Sequence, residues 1–344
     1  MKTFLGLLVA ALFLTANSVT AQQPTQQRNR QGQRPAELPL KDVNTHDPVM
    51  AKEGDTYYLF STGMRISVMS SKDMQTWKFE KPVFDEVPAW TKEAVKGFNG
   101  HMWAPDIIFH NGLWHIFYSC SAFGKNTSAI GHATTPTLDP ASPNFKWTDR
   151  GMIVQSVPNR DMWNAIDPNV IVDDEGTPWM DFGSFWDGIK MVKLTNDMMA
   201  VAQPEEWHSL MRRERSFMLD DTDPGNGAVE APFIMKHGDY YYQFVSLDYC
   251  CRGVRSDYKV AVGRSENVVG PYLDKAGNRM DKGGGSIVIE CNKDWAGVGH
   301  NAAYHFDGKD YFIAHAYSLA ENGASKLVIR EMTWTPDGWP VVSW

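Results

Sequence analysis

Ala165-Ile166-Asp167-Pro168 opens a stretch that continues through the apolar run Asn169 to Val172, the polar turn Asp173-Asp174-Glu175-Gly176, and a second apolar run, Thr177 to Phe182. Two apolar stretches punctuated by a glycine-containing turn form a β-hairpin pattern, and this chain writes it about five times. His46-Asp47-Pro48 leads to Gly54 and Tyr57-Tyr58-Leu59-Phe60, and Ala104-Pro105-Asp106 leads to Gly112 and Trp114-His115-Ile116-Phe117. Glu230-Ala231-Pro232 leads to Gly238 and Tyr240 to Phe244. A copy without the proline, Gly299-His300-Asn301, leads to Gly308 and Tyr311-Phe312-Ile313. Measured between Asp47, Asp106, Asp167, Glu230 and His300, the steps are 59, 61, 63 and 70 residues. Repeats of that length, each carrying several strands, are blades. The expected fold is all-β, a five-bladed β-propeller over residues 39–344.

The ends of the pattern set the compartment. Lys2, the apolar run Phe4 to Leu14 and the small residues Val19-Thr20-Ala21 read as a signal peptide over residues 1–21. The apolar run is too short to span a bilayer, and no cysteine precedes Cys120 to carry a lipid anchor. Export to the periplasm or the medium is expected. Residues 22–38, rich in Gln, Arg and Pro, cannot bury enough apolar surface to order themselves and read as a flexible leader. The net charge of -8 excludes nucleic acid as a partner, since no basic stripe is present to meet phosphates. The four cysteines, Cys120, Cys250, Cys251 and Cys291, allow three full pairings. A bridge between neighbours Cys250 and Cys251 would demand strain, so structural thiols are expected.

Blade one is expected over Asn44 to Phe84, followed by a loop from Asp85 to Met102. Met199 to Arg215 reads as an insertion of helical character through Pro204-Glu205-Glu206-Trp207, and blade five is expected after Gly283-Gly284-Gly285.

In a propeller the first strand of each blade lines the central channel, and a proline belongs at a strand start, where no ladder partner is lost. The repeat therefore delivers Asp47, Asp167 and Glu230 to one end of one channel. Three convergent carboxylates repel one another, which raises at least one pKa and separates their roles. Two carboxylates with a water between them are the equipment of an inverting glycosidase, and a third can tune the acid. Register differs among the copies. Asp47 and Asp167 directly precede their prolines, Glu230 lies two before Pro232, and Asp106 follows its proline, so the pattern does not orient it. His300 replaces the acid in the fifth copy and suits a ligand role toward a hydrated cation. Competing motifs are weak: Gly297-Val298-Gly299 lacks a strand–turn–helix unit, and no nucleophile elbow or H-E-x-x-H pair occurs.

On His46-Asp47-Pro48, Trp103-Ala104-Pro105-Asp106, Asn164-Ala165-Ile166-Asp167-Pro168, Ser184-Phe185-Trp186, Glu230-Ala231-Pro232 and Gly299-His300-Asn301, the chain from Asn44 onward resembles family 43 of the glycoside hydrolases, within it the endo-α-1,5-L-arabinanases. The resemblance implies a five-bladed propeller and an inverting mechanism, with Asp47 as general base, Glu230 as general acid and Asp167 raising the pKa of Glu230 and orienting it. It places Asn164, Ala165, Ile166, Asp167, Ser184, Phe185, Trp186 and Gly124 against the arabinose units of arabinan and arabino-oligosaccharides, with Trp103 and Phe98 walling the groove. It also implies that His300 holds a calcium, or sodium, ion through waters at the channel centre. A compact, monomeric, single-domain enzyme without a membrane span is the matching type; the leader is not part of the family pattern. An exo-acting arabinofuranosidase on the same scaffold is the nearest alternative. A non-catalytic sugar-binding propeller and a protein-binding scaffold propeller are the others, and neither requires all three acids.

Overall fold

The computed structural model describes residues 37–344. The signal segment and leader residues 22–36 lie outside the described residues. Leu38, placed at the end of the leader, is ordered: Leu38–Pro39 pairs with Trp77 and Thr76 on the outer edge of blade one.

Five antiparallel sheets follow one another along the chain, each running from its innermost strand outward, with Leu38–Pro39 added to the outer edge of the first. Blade one is built on Val49–Glu53, Thr56–Ser61, Ser67–Ser71 and Thr76–Phe79. Blade two is built on His101–His110, Leu113–Cys120, Ser128–Thr135 and Thr148–Ser156, and blade three on Asn169–Val172, Pro178–Phe182, Ile189–Lys193 and Trp207–Met211. Blade four comprises Val229–His237, Tyr240–Leu247, Lys259–Ser265 and Ser286–Ile289, and blade five Trp295–Phe306, Lys309–Ser318, Ala324–Trp334 and Pro340–Val342. The five innermost strands contact one another in sequence, and the last contacts the first. That closed ring makes the fold a five-bladed β-propeller. The segment entering blade one clasps blade five, with Thr45 N–H donating to Ser325 O (3.2 Å) and Leu327 N–H to Val43 O (3.0 Å).

Period-two patterning explains how the blades stack. Along Tyr240–Leu247, Tyr241 and Val245 pack with Trp179 and Met191 of blade three, while Tyr242 and Phe244 pack with Phe312 and Val328 of blade five. Successive side chains on a strand point to opposite faces, and a blade between two others must be apolar on both.

Two expected elements differ. The segment Met199 to Arg215 is not helical: Trp207–Met211 is the outer strand of blade three, paired with Ile189–Lys193. Its polar run is the connection to that edge strand, where one side faces water. The Gly283-Gly284-Gly285 turn does not open blade five; it precedes Ser286–Ile289, the fourth strand of blade four. The one α-helix among the described residues, Trp90–Ala94, lies in the loop between blades one and two.

The repeat that sets the site is sharper in three dimensions than in sequence. Asp47, Ala104, Asp167, Ala231 and His300 all have left-handed backbone, with φ of 54°, 41°, 59°, 53° and 50°. Non-glycine residues pay about 1–3 kcal/mol for such a conformation, so its recurrence in every blade marks a position fixed by its surroundings. In blades two, four and five it sits in a β-bulge of the first two strands, which re-aims the side chain. The equivalent residue is thus the one directly before Pro48, Pro105, Pro168, Pro232 and Asn301. Glu230 precedes that position by one residue, and Asp106 follows it by two.

Candidate active site

Each left-handed residue donates its amide to the preceding blade in the ring. Asp47 N–H reaches His315 Nδ1 (3.1 Å), Ala104 N–H Thr62 Oγ1 (2.8 Å), Asp167 N–H Ser119 Oγ (2.9 Å), and His300 N–H Ser246 Oγ (2.7 Å). Blade three's second strand is followed by Gly183, which has no side chain; there Ala231 N–H finds Asp167 Oδ2 (3.2 Å). The bulges are thereby locked from blade to blade at one end of the channel.

Asp47 is buried and held on both oxygens. His46 Nδ1–H (2.8 Å) and His300 Nδ1–H (3.0 Å) donate to Oδ1, and the Thr62 hydroxyl donates to Oδ2. His315 Nδ1 accepts the Asp47 amide, so its proton sits on Nε2, which donates to the Tyr317 hydroxyl oxygen (3.2 Å). The Tyr317 hydroxyl then donates to His46 Nε2 (2.8 Å), which leaves His46 Nδ1–H for Asp47 and closes a ring of hydrogen bonds. The His46 and His315 rings stack with centroids 3.8 Å apart. Burial pushes the Asp47 carboxyl up, but the His46 and His300 imidazoles outweigh it and hold the group well below the usual carboxylate range.

Asp167 has the opposite environment. Burial raises its pKa well above the ordinary value, against the pull of His300 and with the support of the Glu230 and Asp47 charges. Glu230 is half-buried; Tyr258 O–H donates to Oε1 and Ser184 Oγ–H to Oε2, both at 2.6 Å. Both hydroxyl oxygens can also accept, so the same pair can hold the protonated acid. Tyr258 can stand there because residue 299 is glycine: a Cβ on Gly299 would lie 2.2 Å from the tyrosine ring. His300 feels all three carboxylates; burial lowers its pKa, but Asp47, Asp167 and Glu230 together raise it to about 9. Asp47 is pushed down and Asp167 up within one site, the kind of separation that lets neighbouring carboxyls take different roles.

A family model for glycosyl hydrolases family 43 matches residues 36–340. The chain belongs to glycosyl hydrolases family 43. Among its relatives, the extracellular exo-α-(1→5)-L-arabinofuranosidase of Cellvibrio japonicus is 53% identical over 302 residues, covering 88% of this chain and 87% of that protein. The extracellular endo-α-(1→5)-L-arabinanase 1 of Bacillus subtilis is 38% identical, covering 86% of both chains. The solved structure of a Cellvibrio cellulosa α-L-arabinanase complexed with arabinohexaose superposes with a TM-score of 0.86 at 52% identity, covering 88% of this chain and 96% of that one. An exo-1,5-α-L-arabinanase from a bovine ruminal metagenomic library gives 0.83 at 50% identity, covering 89% and 98%.

Within this family 43 site the sequence-derived residues divide into groups. Asp47, Asp167, Glu230 and His300 are brought together. The run from Asn164 to Asp167 lies beside them, with Asn164 Oδ1 accepting from Ser128 Oγ (2.6 Å) and Ala165 N–H bound to Ser156 Oγ (2.9 Å). Ala165 is fully buried, so its part is to hold backbone. Ser184 is on Glu230, and Phe185 N–H donates to Val229 O (2.9 Å). Trp186 is buried, with its indole N–H on Asp221 O (2.9 Å), and Phe98 packs into the core with Val95 and Met102. Both rings are buried, so neither offers the exposed sugar-facing surface expected of it from sequence. Trp103 is half-buried with Nε1–H on His101 Nδ1 (3.0 Å), and Gly124 occupies a left-handed turn.

Asp106 is a structural acid. It accepts from Val170 N–H (2.7 Å) and Asn169 Nδ2 (3.1 Å), tying blade two to blade three, and burial raises its pKa to about 7. Thr62, Ser119, Ser246, Tyr258, His315 and Tyr317 carry the site yet were not singled out from sequence. Their signal was a polar residue near the end of an otherwise apolar strand.

A cation of the kind the family resemblance implies suits the charge here. His300 Nε2 has no partner among the described residues, and the buried Asn301 beside it has neither side-chain polar atom satisfied. The group of potential direct ligands among the described residues is His46, Asp47 and His315, already spent on one another. A hydrated ion fits better than direct coordination.

Proposed function

We propose that this chain hydrolyses the α-1,5-L-arabinofuranosidic bonds of arabinan with inversion of configuration, acting from a chain end. The observation that carries the chemistry is the gathering of Asp47, Asp167 and Glu230 at one end of the channel, with Asp47 held by two imidazoles and Glu230 by two hydroxyls. Asp47, ionised, takes a proton from the attacking water. Glu230, held by Tyr258 and Ser184, gives its proton to the departing glycosidic oxygen. Asp167 fixes the backbone beside Glu230 by accepting the Ala231 N–H. A calcium or sodium ion, held through waters by His300 and Asn301, would supply positive charge at the channel centre. Export is in keeping with the extracellular relatives, and no helix among the described residues is long and apolar enough to cross a membrane.

Action at a chain end is supported by two observations. Proteins named as exo-acting are 50–53% identical to this chain, whereas the Bacillus endo-arabinanase is 38% identical. The second is the segment Leu247 to Ser256, which is laced across the site from blade three to blade five. Asp248 pairs with Arg213 and Lys259, Tyr249 meets Phe185 with ring centroids 5.8 Å apart, and Cys251 N–H donates to the Tyr317 hydroxyl oxygen (2.8 Å). At its far end, Gly323 approaches so closely that a Cβ there would meet Val254 N at 2.6 Å. A segment so pinned can stand as a fixed wall against which a chain end would stop. Endo action, as in the more distant relatives, is the second reading. Debranched arabinan digested to less than about a tenth of its bonds separates them. A single short product from the start is expected, whereas mixed oligomers at the same stage would establish endo action.

A further inference from the structure

Residues 250 and 251 are joined to each other: a disulfide links Cys250 and Cys251, while Cys120 is buried and free and Cys291 exposed and free. The sequence alone favoured thiols here. Cys251 has left-handed backbone (φ 67°) and is solvent-exposed, and its Sγ lies 3.8 Å from His46 Nε2. The pair therefore stands at the open side of the ring of hydrogen bonds that holds Asp47.

Everything around the disulfide immobilises it. Tyr317 takes the Cys251 amide; Ser256 Oγ takes the Arg252 amide (3.0 Å); Asp257 Oδ1 takes the Tyr249 amide (3.0 Å). The Arg252 guanidinium lies over the Tyr249 ring at 3.8 Å. Two sulfurs linked through adjacent residues make a small, stiff, polarisable and apolar surface, with no hydrogen-bonding group to satisfy. It is surrounded by groups already committed to one another. A furanose ring has an apolar face of C–H groups alongside its hydroxyls, and such a face needs a rigid apolar partner that costs no side-chain ordering on binding.

We infer that the Cys250–Cys251 disulfide is a specificity-determining contact, the surface on which an arabinofuranosyl ring of the substrate packs beside Asp47. The inference rests on the arabinan-hydrolysing reading above and adds to it the part of the wall that meets sugar. His46 and Tyr317 position Asp47, and the disulfide positions the substrate. Its loss should therefore act on binding before it acts on chemistry.

The test is a Cys250→Ser/Cys251→Ser double variant, with reduction of the wild-type enzyme by a phosphine as a second route. Cys291→Ser under the same reductant controls for the exposed thiol. Kinetics on arabino-oligosaccharides of two to six units should show KM raised about tenfold, the loss of one modest apolar contact, with kcat within about twofold and an unchanged melting temperature. Products from debranched arabinan should broaden toward mixed lengths. Calorimetric binding of arabinohexaose to Glu230→Gln, with and without the disulfide, should show the same tenfold weakening free of catalysis. A folded double variant, or a reduced wild type, whose KM, product pattern and binding all match the oxidised enzyme overturns the inference while leaving the hydrolase reading intact. A fall in kcat at constant KM also overturns it, assigning the disulfide to support of the Tyr317–His46 network instead. Wild type inert on every arabinan would remove the functional reading, and the sugar assignment with it.

Discussion

Asp47→Asn lowers kcat on arabino-oligosaccharides by about 10³-fold, roughly 4 kcal/mol of transition-state stabilisation, with KM changed by no more than a few fold. The amide keeps the shape of the side chain: its oxygen can still accept from the two imidazoles, and its NH2, placed where Oδ2 stood, can donate to the Thr62 hydroxyl oxygen once that hydroxyl turns, so the fold and the bulge at residue 47 survive. What it cannot do is take a proton from water. Measurement of kcat and KM on one defined oligosaccharide checks this, and a variant retaining a tenth of wild-type activity removes Asp47 as the base. The pH profile carries a linked expectation. The imidazoles hold Asp47 well below the ordinary carboxylate range, so it stays ionised as pH falls until that depressed pKa is reached. The acid limb of kcat/KM therefore lies below the ordinary aspartate range. Replacing His46 by Gln removes one of the two imidazoles and shifts that limb upward.

Glu230→Gln has the other large effect, and the leaving group decides its size. With arabinan or arabino-oligosaccharides the departing oxygen is an alkoxide unless protonated, and kcat falls about 10²- to 10⁴-fold. With a dinitrophenyl arabinofuranoside the leaving group needs no proton, and most of the activity returns. A base variant gains no such rescue, because water must be activated whatever departs. Parallel assays of Glu230→Gln and Asp47→Asn on both substrates separate the two roles. Equal losses on both substrates for Glu230→Gln would contradict its assignment as the acid. Tyr258 and Ser184 hold the glutamine in the glutamate's place, so binding persists in the variant.

Much of this was legible from the chain because the repeat is written in residues with backbone meaning. Prolines at strand starts and glycines in the hairpin turns gave five blades and put Asp47, Asp167, Glu230 and His300 at one end of one channel. Register was harder. The acids were the conspicuous letters, but the structure repeats a left-handed residue, which is alanine at positions 104 and 231 and so invisible to a search for charge. Glu230 reaches the site as the neighbour of that residue, and Asp106 points into the blade interface, where it receives the Val170 amide.

The supporting shell was less legible still. Tyr258 directly precedes the third strand of blade four, and His315 and Tyr317 lie on the second strand of blade five; only packing between segments far apart in sequence brings them to Asp47 and Glu230. The outer strand Trp207–Met211 misled for a related reason. Pro204-Glu205-Glu206 opens like a helix start, and tertiary pairing with Ile189–Lys193 overrode it. The Cys250–Cys251 link depends on a left-handed turn at Cys251 that no residue type in Leu247 to Ser256 announces.

Asp47 and Glu230 standing on opposite sides of the scissile bond, with water between Asp47 and the sugar, is the centre of this account. Proton NMR of the first-formed reducing end during hydrolysis of an arabino-oligosaccharide tests it directly. Inversion predicts that the β-anomer of L-arabinofuranose appears first and mutarotates toward equilibrium, whereas first appearance of the α-anomer would mean a covalent intermediate and would contradict the account.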